Sequence, residues 1–288
     1  MPEVSVSASL PAPADKVWAV ITDFDRFGEW NTIHTAFPNG APAELAVGAQ
    51  YAEKMTLMGM PTEVSWTVSA MEPAADWALE GKGPMGISLR QHYVLTADVS
   101  PNQYTAAQQL QLPQLAKSLD WFNVMTLDFH GAWENQTDFT SNLLPDPKDP
   151  QAANDKFSIV QSVQYYEQHG VPADKIALEL PYYAHAWTGV ANVNNGLYQS
   201  ATGASPEDQA AYNVVVNQPG TVHYDPVTAS IWKYDPASET FYSYDTPQTV
   251  AEKGLYIDLA GLRGASVWSL DGDTTNGALT TALTASLF

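Results

Sequence analysis

The chain has 288 residues, 45% hydrophobic and 11% aromatic, enough to bury one large core or two modest ones and too apolar for a disordered chain. Its 12 basic and 32 acidic residues give a formal charge of −20, which opposes nucleic acid and anionic membranes because both need a basic face against phosphate. Zero cysteines exclude disulfides, thiol catalysis and thiolate metal sites, and the six histidines show no His-x-x-x-His pairing, so neither a metal nor a cofactor is expected.

Residues 4–10 alternate as a strand, and Pro11-Ala-Pro-Ala-Asp15 leads into a short helix over 16–22. Residues 23–31 read as a turn and a second short helix. Strands follow at about 50–58, 62–71, 76–81 and 87–96, separated by turns such as Gly59-Met-Pro61. From about Tyr93 the pattern becomes βα. Strands are expected at 93–100, 121–128, 175–183 and 264–270, with helices at 112–119, 155–169 and 279–287. That alternation implies parallel pairing. Between Trp187 and Val250 lies a stretch rich in Gly, Asn, Tyr and Thr, with short antiparallel strands predicted at 221–225, 231–235 and 241–245. No apolar run is long enough to span a bilayer, and the first ten residues lack a signal-peptide layout, which predicts a cytoplasmic product.

The N-terminal pattern Pro-Ala-x-x-Val-Trp-x-x-Ile-x-Asp-Phe-x-x-Phe-x-x-Trp-Asn, at 13–31, resembles the START-like or polyketide-cyclase-like superfamily. That resemblance covers about residues 2–95 and implies a helix-grip fold, a curved antiparallel sheet around a long helix with an apolar ligand cavity between them. The final strand and closing helix do not follow. Trp18, Trp30, Trp66 and Trp77 are expected to pack in its core.

Three later pieces occur in order: Met125-Thr-Leu-Asp-Phe-His-Gly-Ala-Trp133, Leu180-Pro-Tyr-Tyr-Ala-His-Ala-Trp187 and Val267-Trp-Ser-Leu-Asp-Gly-Asp273. They resemble the last barrel strands of family 18 glycoside hydrolases, the chitinases. Tyr-Asp-Pro at 224–226 and Phe-x-Ser-Tyr-Asp at 241–245 look similar to the α+β insertion of one subgroup. The implied architecture is an α/β and α+β composite. An incomplete helix-grip segment at 1–92 precedes a partial (β/α) TIM-barrel half at 93–288, strands five to eight, with a small α+β insertion at about 188–250.

In such a barrel the functional residues sit at the C-terminal ends of the strands. By resemblance, Met125, Asp128, Tyr183 and Trp268 line the sugar subsite beside the scissile bond, and Asp225 falls near an acidic substrate-contacting position of the insertion. Family hydrolysis is substrate-assisted, with a glutamic acid protonating the leaving oxygen. That acid belongs to a motif Asp-x-x-Asp-x-Asp-x-Glu, which these 288 residues do not contain. Further departures are Leu127 for the family's tyrosine, Glu179 for a glycine, and Ala184-His185 for Gly-Arg. No catalytic residue is assigned. Strand alternation places Asn123, Met125 and Leu127 on one side of their strand and Ala177, Glu179, Pro181 and Tyr183 on one side of theirs, and the chitinase resemblance implies that these sides face into the barrel. Glu179 would lie too deep to reach a glycosidic oxygen, and Glu134 reads as a solvated loop residue. Trp121, Trp133 and Trp187 read as packing, His130 and His185 as hydrogen-bonded rim residues, and Asp271 and Asp273 as caps for the next helix.

Four βα units do not close a barrel. Either two copies pair their open edges as a homodimer, or the N-terminal strands cover an edge, or the join near 90–96 is artificial. The expected function is weak binding of chito-oligosaccharide or another small molecule, with hydrolysis absent. The alternatives are apolar-ligand binding by the N-terminal part, or a chimera with no ligand. The resemblance also implies that the parent of the C-terminal part was secreted.

Overall fold

The computed structural model describes residues 14–287 apart from 43–44, 58, 74–75 and 85–87; the expected strand at 4–10 lies outside them. The chain divides into two compact units, one of Met1–Leu95 with Lys117–Asp120 and one of Thr96–Ala116 with Trp121–Phe288. Among the described residues no helix is long and apolar enough to cross a membrane.

In the first unit, α1 (Ala14–Ile21) is followed by a 3-10 turn that Asp23 caps, and then by α2 (Phe27–Trp30). Five strands, β1 (His34–Ala36), β2 (Gln50–Leu57), β3 (Met60–Glu72), β4 (Asp76–Lys82) and β5 (Ser88–Tyr93), pair antiparallel in sequence order. Period-two alternation drives Val64, Trp66 and Val68 of β3 to one face, where they pack with Tyr51, Met55, Trp77, Leu79 and Phe27. Trp18 and Trp30 lie against this core, so all four tryptophans pack as expected. One charged residue is buried among them. Glu53 accepts hydrogen bonds from Trp66 Nε1 (2.7 Å) and His34 Nδ1 (2.9 Å), which offsets the cost of burying a carboxylate.

The second unit contains β6 (Thr96–Val99), β7 (Trp121–Val124), α4 (Ile159–Gln168) and β8 (Ile176–Pro181), with α3 (Leu112–Ser118) between β6 and β7, all but its last two residues in this unit. Then come β9 (His185–Thr188), β10 (Gly203–Ala204), α5 (Tyr212–Val215), β11 (Thr221–Asp225), β12 (Ser230–Asp235) and β13 (Thr240–Tyr244). Last are α6 (Pro247–Leu259), β14 (Gly264–Trp268) and α7 (Ala278–Ser286). β14, β8, β7 and β6 form a four-stranded parallel sheet in that order, as the βα alternation predicted. Among the described residues its edge strands are β6 and β14, and β1–β5 form a sheet of their own. β10, β9, β13, β12 and β11 form a separate antiparallel sheet that holds the three strands expected in the insertion. In β8 the residues Ile176, Leu178 and Leu180 are wholly buried, a hydrophobic run typical of a parallel strand.

The structure corrects several boundaries. The strand expected at 121–128 stops at Val124, since the amides of Thr126 and Leu127 bond back to the carbonyls of Val124 and Met125, both at 2.7 Å. The strand expected at 93–100 is two: β5 ends at Tyr93 and β6 begins at Thr96 in a different sheet. Helix α4 begins at Ile159 rather than 155, where Ser158 caps it by accepting from the Gln161 amide. Sequence reading missed β9, β10, α5 and α6, although α6 carries a visible start in Thr246, Pro247 and the reciprocal Thr246–Thr249 capping box.

Candidate functional site

The C-terminal ends of β7, β8 and β14 surround a cavity of about 300 Å³, lined by Asp128, Tyr182, Tyr183, Gln209, Trp268 and Asp271 among others. Asp128 follows the two tight turns after β7 and adopts a left-handed backbone (φ 55°), which turns its carboxylate across the strand ends. Its Oδ1 accepts from the Tyr183 hydroxyl at 2.5 Å and from His185 Nε2 at 2.8 Å. His185 Nδ1 lies 2.9 Å from Asp208 Oδ1, which also accepts from the Ala186 amide. A chain of four polar side chains therefore runs from the cavity into the base of the antiparallel sheet.

The electrostatics follow from burial and pairing. Burial pushes the Asp128 carboxyl up, but the hydrogen bonds from His185 and Tyr183 outweigh it and hold it below the usual range. Tyr183 is pushed up by burial and by its bond to Asp128, so it stays a neutral donor. Burial disfavours charge on His185, yet the two carboxylates prevail and raise it above its ordinary 6.5.

Trp268 is 64% exposed at the cavity, on the N-terminal side of a cis peptide to Ser269. Trp133 packs edge-on against the His185 ring at 4.9 Å but remains 59% exposed, so it lies at the surface rather than in a core. Trp187 is wholly buried, and Trp121 lies under the Arg263 guanidinium at 4.9 Å. The structure thus brings Asp128, Tyr183 and Trp268 together. Met125 is half-buried and absent from the cavity wall. Asp225 ends β11, where its Oδ1 accepts from the Val227 amide as a turn residue, also away from the cavity wall. Both fall outside because the chain leaves β7 early and because the insertion's turn chemistry occupies Asp225.

Other carboxylates find structural roles. Asp273 accepts from the amides of Thr274, Leu279 and Thr280 and so caps α7, as expected. Glu134 is not a solvated loop residue, since it pairs with the buried His130 at 2.9 Å. Glu179 is 8% exposed, its Oε2 has no partner, and burial beside Asp98 and Asp128 pushes it up to about 7. It does not line the cavity. Among the described residues no group of three or more His, Asp or Glu side chains is arranged to hold a metal ion. Sequence reasoning missed Asp208 and Gln209, which reach the site from a loop more than twenty residues beyond Tyr183. It named Trp133 but assigned it to packing.

Residues 76–273 match the family model for glycosyl hydrolases family 18. The chain belongs to glycoside hydrolase family 18. Residues 1–111 match a second model, polyketide cyclase / dehydrase and lipid transport, so the two matches overlap over 76–111. Chitinase A1 of Niallia circulans is 34% identical over 197 residues, covering 63% of this chain and 28% of that protein. The catalytic domain of psychrophilic chitinase B from Arthrobacter TAD20 superposes with a TM-score of 0.62 at 35% identity, covering 68% of this chain and 45% of that one. A mutant family 18 chitinase from Cycas revoluta, solved in complex with (GlcNAc)4, gives a TM-score of 0.59 at 25% identity, covering 69% and 57%. The family 18 chain spans under half the length of the curated relatives it matches.

Proposed function

We propose that the second unit, as half of a chitinase-like barrel, binds N-acetylglucosamine oligosaccharides weakly and does not hydrolyse them. The observation that carries this reading is the Asp128–Tyr183 pair beside an exposed Trp268 around one cavity. An indole face suits the C–H surface of a sugar, while a carboxylate and a phenol suit its amide and hydroxyl groups. The solved relative in complex with (GlcNAc)4 supports the ligand class. Absence of turnover follows from the chemistry, because these residues lack the acidic motif that supplies the proton and general acid catalysis alone contributes about 100- to 10,000-fold. Glu179 does not replace it, since it stands off the cavity wall.

The test is a titration with chito-oligosaccharide followed by tryptophan fluorescence. Saturable quenching that is lost in Trp268→Ala and weakened about tenfold in Asp128→Ala supports the reading. A flat titration sinks it, and turnover of a fluorogenic chitobioside that vanishes in Asp128→Ala overturns the inactive half of it. A second reading, an apolar-ligand carrier built on the first unit, is favoured by the match of residues 1–111 to a lipid-transport family model. Displacement of a bound apolar dye by lipids, with no response to sugars, would select it.

A further inference from the structure

We propose that His185 is a positioning cation for Asp128, so that carbohydrate binding is strongest when the imidazole carries both its protons and weakens as it loses one. This rests on the carbohydrate reading and adds a regulatory residue to the same site.

The argument is one of donor counting. A neutral imidazole has one N–H and one bare nitrogen. Both ring nitrogens of His185 face carboxylate oxygens, Nε2 at 2.8 Å from Asp128 and Nδ1 at 2.9 Å from Asp208. A neutral ring would satisfy one carboxylate and turn a lone pair on the other. Only the imidazolium donates to both. The side chain is wholly buried, so little water is at hand to relieve that repulsion.

The ring is also held in place. Asp208 is pinned by the Ala186 amide at 2.9 Å, and its loop is laced to the chain ahead of β9 by Gln209 N to Ala184 O and Ala184 N to Ala210 O, both at 2.9 Å. The charged or titratable groups facing the ring are Asp128, Asp208 and Tyr183, and the rings of Trp133 and Trp187 pack against it.

Both protein donors converge on Oδ1 of Asp128, from Tyr183 and from His185, which leaves Oδ2 for a ligand hydroxyl or amide. Loss of a proton removes one of the two ring contacts. Asp208 is pinned by the backbone, whereas the Asp128 side chain is 44% exposed and keeps only the Tyr183 hydroxyl once the ring contact is lost. The released group is therefore Asp128.

The sign follows from the direction of the shift. The two carboxylates raise His185 above 6.5, so the cation is kept to a higher pH than in a free imidazole and is lost as pH rises through its folded-state pKa. The experiment measures the affinity of the full chain for the N-acetylglucosamine tetramer between about pH 5.5 and 9. It uses wild type, His185→Arg and His185→Gln, alongside a ¹⁵N-imidazole NMR titration of the ligand-free wild type. Wild-type affinity is expected to fall about tenfold over the same pH range in which NMR shows His185 losing a proton. His185→Arg should stay tight with a flat profile, and His185→Gln should be weak and flat. The wild-type titrations need no variant to fold. Saturable binding that stays level while His185 titrates, or His185→Gln binding like wild type, overturns the proposal and leaves the carbohydrate reading standing. A resonance showing a neutral ring at pH 6 overturns it on its own. No saturation by the wild type at any pH sinks the carbohydrate reading and this proposal with it.

Discussion

Two buried charges carry opposite lessons. Lys253 is wholly buried in α6, and its Nζ donates to both oxygens of Asp245, at 2.7 and 2.6 Å, and to Ser141 Oγ at 2.8 Å. Burial pulls its pKa down and Asp245 opposes that, so the pair stands by mutual neutralisation. Lys253→Met alone strands a buried carboxylate and is expected to cost about 3–5 kcal/mol, while Lys253→Met with Asp245→Leu recovers most of it. Urea unfolding of the singles and the double checks this. Glu179 has no such partner. Its folded-state pKa is raised from 4.5 to about 7, so between those values the folded state holds a proton that the unfolded chain releases. Stability then falls as pH rises through that window, and the loss is complete above about 7. Glu179→Gln is expected to stabilise by about 2 kcal/mol at pH 8 and by far less at pH 5. Equal effects at both values would refute the buried-proton account.

Among the elements, the helices are set by their caps. The N-cap of α7 is Gly277 in a left-handed conformation with no side-chain bond, and Asp273 supplies the missing acceptor from four residues upstream. Asp273→Ala is expected to cost about 1–2 kcal/mol and to lower the melting temperature. Asp273→Asn should retain part of the capping, and a melting temperature unchanged in Asp273→Ala would refute this role. These caps were legible in sequence to different degrees. Asp273 was named as a cap because it stands between a strand and a helix. The start of α6 was equally written in Thr246-Pro247 but lay hidden behind a Tyr- and Thr-rich stretch that reads as strand. The early end of β7 was not legible. Residues 121–128 alternate as a strand, and only the turns after Val124 show that Asp128 reaches the cavity by a reversal of the backbone.

At the scale of the whole molecule, β6 and β14 are the edges of the parallel sheet among the described residues, and pairing of two copies through them is one of the three ways of covering those edges set out above. Each copy carries a formal −20, so repulsion opposes pairing and added salt should strengthen it. Light scattering at increasing concentration and salt should show mass rising towards a dimer. A monomer under all conditions defeats this expectation.

By itself the sequence determined the family, through contiguous motifs at strand ends, and the parallel pairing and the three insertion strands, through local periodicity. Asp128, Tyr183 and Trp268 were named by resemblance, and the structure sets them around one cavity. Only the tertiary structure decided the rest: that Met125 and Asp225 stand apart, that Trp133 is exposed, and that Asp208 reaches across to His185. The reason is physical. A hydrogen bond between residues 23 apart depends on where a loop returns, and chain closure over that distance leaves no periodic trace in the residues themselves.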